Sequence, residues 1–235
     1  MPLSPLLATT LALTLGTGSP CDPPPRSWLQ ILGLTSGTLR GPEETIEGDL
    51  YVTRADGSIG RQRLTEAGGY RSPVFHPDKE SVLALRGASL VQIPLNEGIQ
   101  EGRLLMDLPG AQRLAGFTVG NSKVLVALVK EGNTTKPVLI CLDSMKRVDI
   151  PDDQATHNDV NSLLGSLRSS MRRYDSTTVE SKESDKGGRS VFVRKDGGEP
   201  IDVGRCEKDV CGQAALSKDG SKVVFVRRPA GEPTG

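Results

Sequence analysis

The sequence predicts an all-β fold, a β-propeller of four-stranded blades, from three observations. First, 27 Gly and 16 Pro among 235 residues favour many short elements over long helices. Second, one strand-turn-strand pattern recurs at an interval of about 42 residues. Third, a hairpin pattern with an Asp-Gly turn alternates with it. Four strands in roughly 42 to 50 residues is the period of a propeller blade.

The recurring pattern is clearest in residues 73–85 and 214–226, which match position for position. Each segment has a large apolar residue, Phe75 or Leu216, followed by a polar turn and by an apolar strand that begins seven residues on. Aspartate and glycine beside such a step favour a tight turn. The predicted turn residues here are Asp78, Asp219 and Gly220.

Two further copies are expected between these segments. Phe117 leads to Val124 by the same seven-residue step, with a Gly-Asn turn between them. The interval from Phe117 to Leu216 is a little over twice the interval from Phe75 to Phe117. One diverged copy is therefore expected near Leu163 to Ser170.

The alternating hairpin pattern is strongest in residues 48–65 and 189–203, where short β-branched and aromatic runs flank an Asp-Gly turn. Weaker versions occupy residues 88–106 and 136–148. The hairpin turns place four more residues among the predicted turn positions: Asp56, Gly57, Asp196 and Gly197.

The ends of the repeat region predict how the ring closes. Residues 214–226 supply only the first two strands of a blade, and residues 49–65 supply only the last two. Together they form one composite blade, which with the blades beginning near 72, 112 and 160 makes four. Two alternatives are a partial ring that stops early and a β-sandwich with coincidental hairpins.

The N-terminus predicts export. An apolar run from Leu6 to Leu15 has the length of a signal-peptide core and is too short to span a bilayer, although no Lys or Arg precedes it. The stretch 174–189 is highly charged and predicts a mobile loop. The expected organisation is an export signal at 1–20, a Pro/Gly-rich linker with a strand at 28–34 within 21–45, the propeller at 46–228 and a disordered tail at 229–235.

The cysteines agree with export to the periplasm or the extracellular space. Cys206 and Cys211 have four residues between them, and their disulfide would close a loop that contributes about 2 kcal/mol. Cys141 lies in an apolar run and is expected to be a buried small hydrophobe. Because the two histidines, His76 and His157, are not spaced as ligands with the cysteines, no metal site is predicted.

Charge and motifs exclude several classes of function. Lys+Arg and Asp+Glu both number 29, so no basic face favours nucleic acid or an anionic membrane. No Gly-x-Ser-x-Gly nucleophile elbow and no phosphate-binding Gly-rich loop occur. We therefore expect no catalytic residues and no cofactor, no transmembrane segment beyond the signal, and a monomer.

Two segments resemble the TolB-type, WD-repeat-like propeller repeats of exported bacterial proteins. Residues 63–78 contain Arg-Leu-Thr and then Pro-Val-Phe-His-Pro-Asp, and residues 216–226 contain Leu-Ser-Lys-Asp-Gly before an apolar strand. Lys79 and Lys218 depart from the Gly and Pro that are usual in the repeat. The resemblance implies an exported propeller that serves as a scaffold for protein interaction or ligand binding.

The sequence thus predicts a non-catalytic exported propeller that binds a protein partner or a small ligand through loops on one face. The alternative is a propeller fragment of a hydrolase, or a small propeller enzyme with an unconventional site.

Overall fold

The computed structural model describes residues 45–149 and 173–231, apart from 59, 79, 119–120 and 175–176. The expected export signal, nearly all of the expected linker with its strand, and the repeat copy expected near Leu163 to Ser170 lie outside the described residues. The described part of the chain has sixteen strands and no helix, so the all-β prediction is confirmed. The strands are β1 Asp49–Arg54, β2 Gln62–Arg63, β3 Tyr70–Phe75, β4 Ser81–Arg86, β5 Ser89–Pro94, β6 Arg103–Asp107, β7 Ala111–Thr118, β8 Asn121–Glu131, β9 Thr134–Cys141, β10 Lys146–Asp149, β11 Arg173–Tyr174, β12 Thr177–Glu183, β13 Arg189–Arg194, β14 Ile201–Asp202, β15 Val210–Leu216 and β16 Lys222–Arg228.

The strands form four antiparallel blades of four strands each. Blade I contains β3 to β6, blade II contains β7 to β10, and blade III contains β11 to β14, each in chain order. Blade IV has the order β15, β16, β1 and β2. One parallel pair, Arg189 opposite Val210, links blade III to blade IV. The prediction of four-stranded blades is confirmed.

Blade IV is the predicted composite blade, because it joins the first described strand to the last. β1 pairs antiparallel with β16 along its whole length, from Asp49 opposite Arg227 to Arg54 opposite Lys222. On the far side, Tyr51 stacks on its cross-strand partner Phe225 with ring centroids 5.9 Å apart. Successive residues of a strand point to opposite faces, and β16 is buried on both. Val224 and Val226 join Leu50 and Val52 in one cluster, while Val223 and Phe225 enter another.

The core lies between the blades. One buried cluster fills the space between blades IV and I, a second lies between I and II, and a third lies between III and IV. Only 3% of the residues are aromatic, and the clusters are accordingly built mainly of Val, Leu, Ile and Ala. Each blade therefore depends on a neighbour to bury its apolar face.

The first strand of each blade is its inner strand, and the inner strands of blades I and IV, β3 and β15, carry equivalent β-bulges. The ladder between β3 and β4 shifts between Arg71 and Val74, and the ladder between β15 and β16 shifts between Gly212 and Ala215. After each bulge, the large apolar residue pairs with the residue seven positions on, Phe75 with Val82 and Leu216 with Val223. The seven-residue step of the sequence therefore corresponds to a real structural repeat.

The middle copy departs from that step. Phe117 of β7 pairs with Leu125, eight positions on, rather than with Val124. β7 contains three register irregularities against β8, where β3 and β15 have one each. Each bulge adds a residue to one strand, so the spacing along the sequence changes while the position of Phe117 at the end of an inner strand is kept.

The charged stretch 174–189 is not the mobile loop that its composition predicts. β12 runs through it and pairs with β13 along its length. Thr177 and Val179 are buried, while the charged residues Glu180 and Lys182 that follow are exposed, and the Lys182 ammonium lies 4.4 Å from the centre of the Phe192 ring. The prediction was wrong because it used composition alone. The alternation of buried and exposed residues along β12 is typical of a strand.

Gly48 allows a test of the composite blade. A Cβ at this position would lie 2.2 Å from the backbone oxygen of Arg227 on β16. Gly48→Ala should therefore push β1 away from β16 and lower the free energy of unfolding by about 1–3 kcal/mol, the usual cost of overpacking. Urea denaturation followed by circular dichroism measures the loss.

Gly60→Ala is the matched control, because Gly60 is exposed and has nothing within 4 Å of a built Cβ. Equal denaturation midpoints for the two variants would show that the pairing of β1 with β16 tolerates a side chain at position 48.

Candidate functional site

A cleft of about 390 Å³ lies between blades III and IV. One wall is the turn between β12 and β13, and the other is formed by the start of β15 and the end of β16. In an antiparallel blade, the first strand begins at the same end of the blade at which the second strand finishes. The start of β15 and the end of β16 therefore lie on one face of the ring, and the cleft opens there. We call it the cleft face. The lining residues are Glu183, Ser184, Gly187, Gly188, Arg189, Val210 and Arg228.

The first wall is held in place by two glycines. Gly187 has φ +88°, a conformation that favours glycine, and its amide donates to the carbonyl oxygen of Ser184 at 3.0 Å. At Gly188 a Cβ would lie 2.3 Å from the carbonyl oxygen of Glu207 and 2.6 Å from that of Asp209. The turn therefore packs directly on the backbone of residues 207–209, with no room for a side chain between them.

Residues 206–211 form the loop beneath this wall, and a disulfide closes it. Cys206 is bonded to Cys211, with both residues buried, which confirms the predicted pair. The Arg189 amide donates to the carbonyl oxygen of Asp209 at 3.0 Å, and the Lys186 ammonium lies 2.9 Å from Glu207 Oε1. The disulfide loop thus fixes the β12–β13 turn at three points.

Two charged side chains, Lys186 and Arg61, bind groups in or next to the disulfide loop. The hydrogen bond from Lys186, together with the charge of Lys186, lowers the pKa of the Glu207 carboxyl. Arg61 donates to the carbonyl oxygens of Gly204 and Arg205 at 2.7 and 2.8 Å, which joins the segment just before the loop to the region before β2. Burial, with a smaller effect of the nearby Arg227 charge, lowers the pKa of Arg61.

Two consecutive arginines at the end of β16 have different surroundings. Arg227 Nε donates to Asp209 at 2.6 Å, and the guanidinium lies over the Tyr51 ring. Arg228 lines the cleft, is half-buried, and makes no side-chain hydrogen bond or ion pair with any described residue. Glu183, across the cleft, is exposed and is likewise unpaired within the described residues.

The cleft therefore presents one available cation and one available anion on a rigid frame. Within the described ranges, no group of three or more His, Cys, Asp and Glu side chains is placed to hold a metal ion. The chemistry that these groups support is reversible binding of a charged group.

The predicted turn residues lie on the opposite face. Asp78 lies in the β3–β4 connection, and Asp219 and Gly220 occupy the equivalent β15–β16 connection. Asp56, Gly57, Asp196 and Gly197 lie in the β1–β2 and β13–β14 connections, and both glycines have positive φ. Connections after the first and third strands of a blade share one face, so none of these residues is in the cleft.

Asp78 and Asp219 bind the start of the strand that follows them. The Asp78 carboxylate accepts hydrogen bonds from the amides of Glu80 and Ser81, and its Oδ2 lies 2.9 Å from His76 Nδ1. Asp219 accepts from the amide and the hydroxyl of Ser221. Both residues therefore organise a turn.

Cys141 differs from the sequence expectation in one respect. It is buried on β9, as predicted, but it is disulfide-bonded rather than free. Sequence reasoning also missed the cleft. The only signal of it was the combination of the Cys206 and Cys211 pair with the Gly-Gly turn at 187–188.

No protein-family model matches the chain, and no curated protein matches it. The chain is similar to a solved structure of an Agrobacterium tumefaciens protein assigned as TolB, with 10% sequence identity and a TM-score of 0.26. The alignment covers 81% of this chain and 80% of that one. At this TM-score the likeness adds nothing to what the blades themselves show.

Among the described residues there is no helix of the length and hydropathy that a membrane span requires.

The turn at Asp78 predicts a pH dependence of stability. Partial burial tends to raise the pKa of Asp78, but hydrogen bonds from Glu80 and Ser81 and the His76 charge outweigh it, so the pKa lies below its ordinary value. A lowered pKa stabilises the fold above the unfolded value of about 3.9, and this contribution is lost as the pH falls through the folded value. Asp78→Asn should therefore lower the free energy of unfolding by about 1 kcal/mol at pH 7, a screened value for bonds to a charged acceptor.

Urea denaturation of Asp78→Asn and wild type from pH 7 to pH 2.5 measures this difference, which should shrink below about pH 4. Asp185→Asn serves as a control, because Asp185 is exposed and has no partner within the described residues. A difference for Asp78→Asn that is constant with pH would contradict the role of its charge.

The disulfide loop predicts a linked loss of stability and of cleft structure. The double variant Cys206→Ser, Cys211→Ser should lose about 2 kcal/mol of unfolding free energy, the entropy of closing so short a loop. Hydrogen exchange of the Gly188 and Arg189 amides should become faster, because both residues pack on that loop. Faster exchange spread evenly over blade I would show instead a general loss of stability.

Proposed function

We propose that the chain is an exported, non-catalytic β-propeller scaffold that binds a protein partner through its cleft face. The observation that supports this function is the unpaired, half-buried Arg228 across a rigid cleft from the unpaired Glu183. A cation held partly out of water without a partner costs free energy in the unbound protein. A ligand that pairs with Arg228 recovers that cost.

The size of the cleft favours a protein over an enclosed small ligand. At about 390 Å³ it lies near the lower end of the range for small-molecule pockets. It is open along the cleft face, so a ligand in it would remain largely exposed. A side chain or a chain end that projects from a protein surface suits such a cleft, because the surrounding loops then contact the rest of the partner.

The rigidity of the cleft also supports binding. The Cys206–Cys211 disulfide, the close packing at Gly188 and the Lys186–Glu207 ion pair hold the wall in one position. A preorganised wall loses little conformational entropy when a partner binds.

Export is supported by disulfide usage. Both Cys206 and Cys211 are oxidised, and so is Cys141. Structural disulfides form and persist in oxidising compartments such as the periplasm and the extracellular space.

The proposal of a non-catalytic protein is supported by the surroundings of His76. Its Nδ1 faces Asp78, and the Ser81 hydroxyl donates to the same carboxylate. The carboxylate lies between the imidazole and the hydroxyl, whereas a Ser-His-Asp triad requires the imidazole between the other two.

Chemical cross-linking tests this function. Purified protein carrying an affinity tag is mixed with an envelope extract of the source cells, cross-linked, and analysed by quantitative mass spectrometry. The wild type should enrich a specific protein, and Arg228→Glu should reduce its recovery at least about 10-fold, since loss of a central charge contact costs more than about 1.4 kcal/mol.

Lys218→Glu is the matched control, because Lys218 is an exposed cation on the opposite face and its reversal changes the net charge equally. Recovery that falls equally in both variants would indicate nonspecific electrostatics. Recovery unchanged in Arg228→Glu would place binding elsewhere, and substrate turnover by the purified protein would contradict the non-catalytic assignment.

A further inference from the structure

We propose that the cleft recognises a single carboxylate group of a protein partner, held by the guanidinium of Arg228. This inference rests on the proposed function of the cleft and specifies the chemical group that the cleft binds. A side-chain carboxylate and a C-terminal carboxylate both supply that chemistry.

The first step is the contrast between the two arginines. Successive side chains of a strand point to opposite faces, and Asp209 neutralises Arg227 on one face of β16. Asp209 also accepts a hydrogen bond from the Ala230 amide at 3.1 Å. Both carboxylate oxygens of Asp209 therefore bind other groups, and the guanidinium of Arg228 stays available in the cleft.

The second step is the match between guanidinium and carboxylate. A guanidinium offers parallel N–H donors that pair with both oxygens of a carboxylate. Arg228 is half-buried, and partial exclusion of water strengthens such a pair relative to one on an open surface. Arg189, on the same lining, adds positive potential within a Debye length although it has other contacts of its own.

The third step is the effect of Glu183. Its carboxylate lines the same cleft, so each negative charge on a ligand is repelled by Glu183 while it is attracted by the arginines. A phosphate dianion doubles the attraction as well as the repulsion, so charge alone does not decide between phosphate and a carboxylate. Glu183 also accepts hydrogen bonds, and the amide N–H groups beside a peptide carboxylate are suitable donors. The cleft therefore favours a peptide carboxylate over phosphate.

Nuclear magnetic resonance titration with short peptides tests this assignment on the full chain. The probes are acetyl-Ala-Glu-Ala-amide for a side-chain carboxylate, acetyl-Ala-Ala-Ala with a free C-terminus for a chain end, and neutral acetyl-Ala-Gln-Ala-amide. We expect saturable shifts of the Gly187 and Gly188 amides at millimolar concentrations of one or both carboxylate peptides. The neutral peptide should bind at least about 10-fold more weakly.

The variants identify the residue that binds. Arg228→Gln should weaken carboxylate binding at least about 10-fold, Lys218→Gln should leave it unchanged, and Glu183→Gln, which removes the repulsion but keeps an acceptor oxygen, should strengthen it. Added NaCl should weaken binding, because the pair is electrostatic. Binding of both carboxylate peptides, or of either one alone, supports the inference and identifies the source of the carboxylate.

Two results would overturn it: equal shifts with the neutral peptide, or unchanged binding in Arg228→Gln with its fold intact by circular dichroism. These outcomes are distinct from failure of the proposed function. If cross-linking finds a partner that depends on Arg228 while no carboxylate peptide binds, the scaffold function stands and the carboxylate assignment is wrong.

Discussion

The pairing of β1 with β16 is the contact on which the rest of the structure depends. It completes blade IV, and blade IV contributes to two of the three buried clusters, toward blade I on one side and toward blade III on the other. Without β1, blade IV would be incomplete, and the apolar residues of blades I and III that pack against it would be less buried. The two strands are far apart in sequence, so forming the pair closes a very long loop, and such contacts make folding slow.

Much of this architecture was predictable because its determinants are local. An apolar residue followed after seven positions by its cross-strand partner, as in Phe75 with Val82 and Leu216 with Val223, is visible in the chain itself. The composite blade followed from counting strands at the two ends of the repeat. The departures occur where local signals conflict: extra bulges in β7 changed the step at Phe117, and charges on the outer face of β12 concealed its alternation.

The candidate site was much less predictable, for a physical reason. Its two available charges, Glu183 and Arg228, come from different blades, and their proximity depends on the packing of blade III on blade IV. The spacing of residues along the chain does not predict how these two blades pack. The Asp and Gly turn residues have strong local signals because they build turns, and they lie on the other face. The disulfide was predictable from spacing, but its role beneath the cleft wall depends on where Gly188 packs.

Hydrogen bonds join the inner strand of blade I to the inner strands of blades IV and II. Ser72 in the bulge of β3 has positive φ, and its amide donates to Gln213 Oε1 of β15 at 2.8 Å. The Ser72 hydroxyl accepts from the amide of Leu114 on β7, also at 2.8 Å. β3 therefore contacts both β15 and β7 directly, whereas propeller blades usually surround a central channel. Those polar groups already bind each other, whereas Arg228 and Glu183, at the junction of blades III and IV, remain unpaired within the described chain.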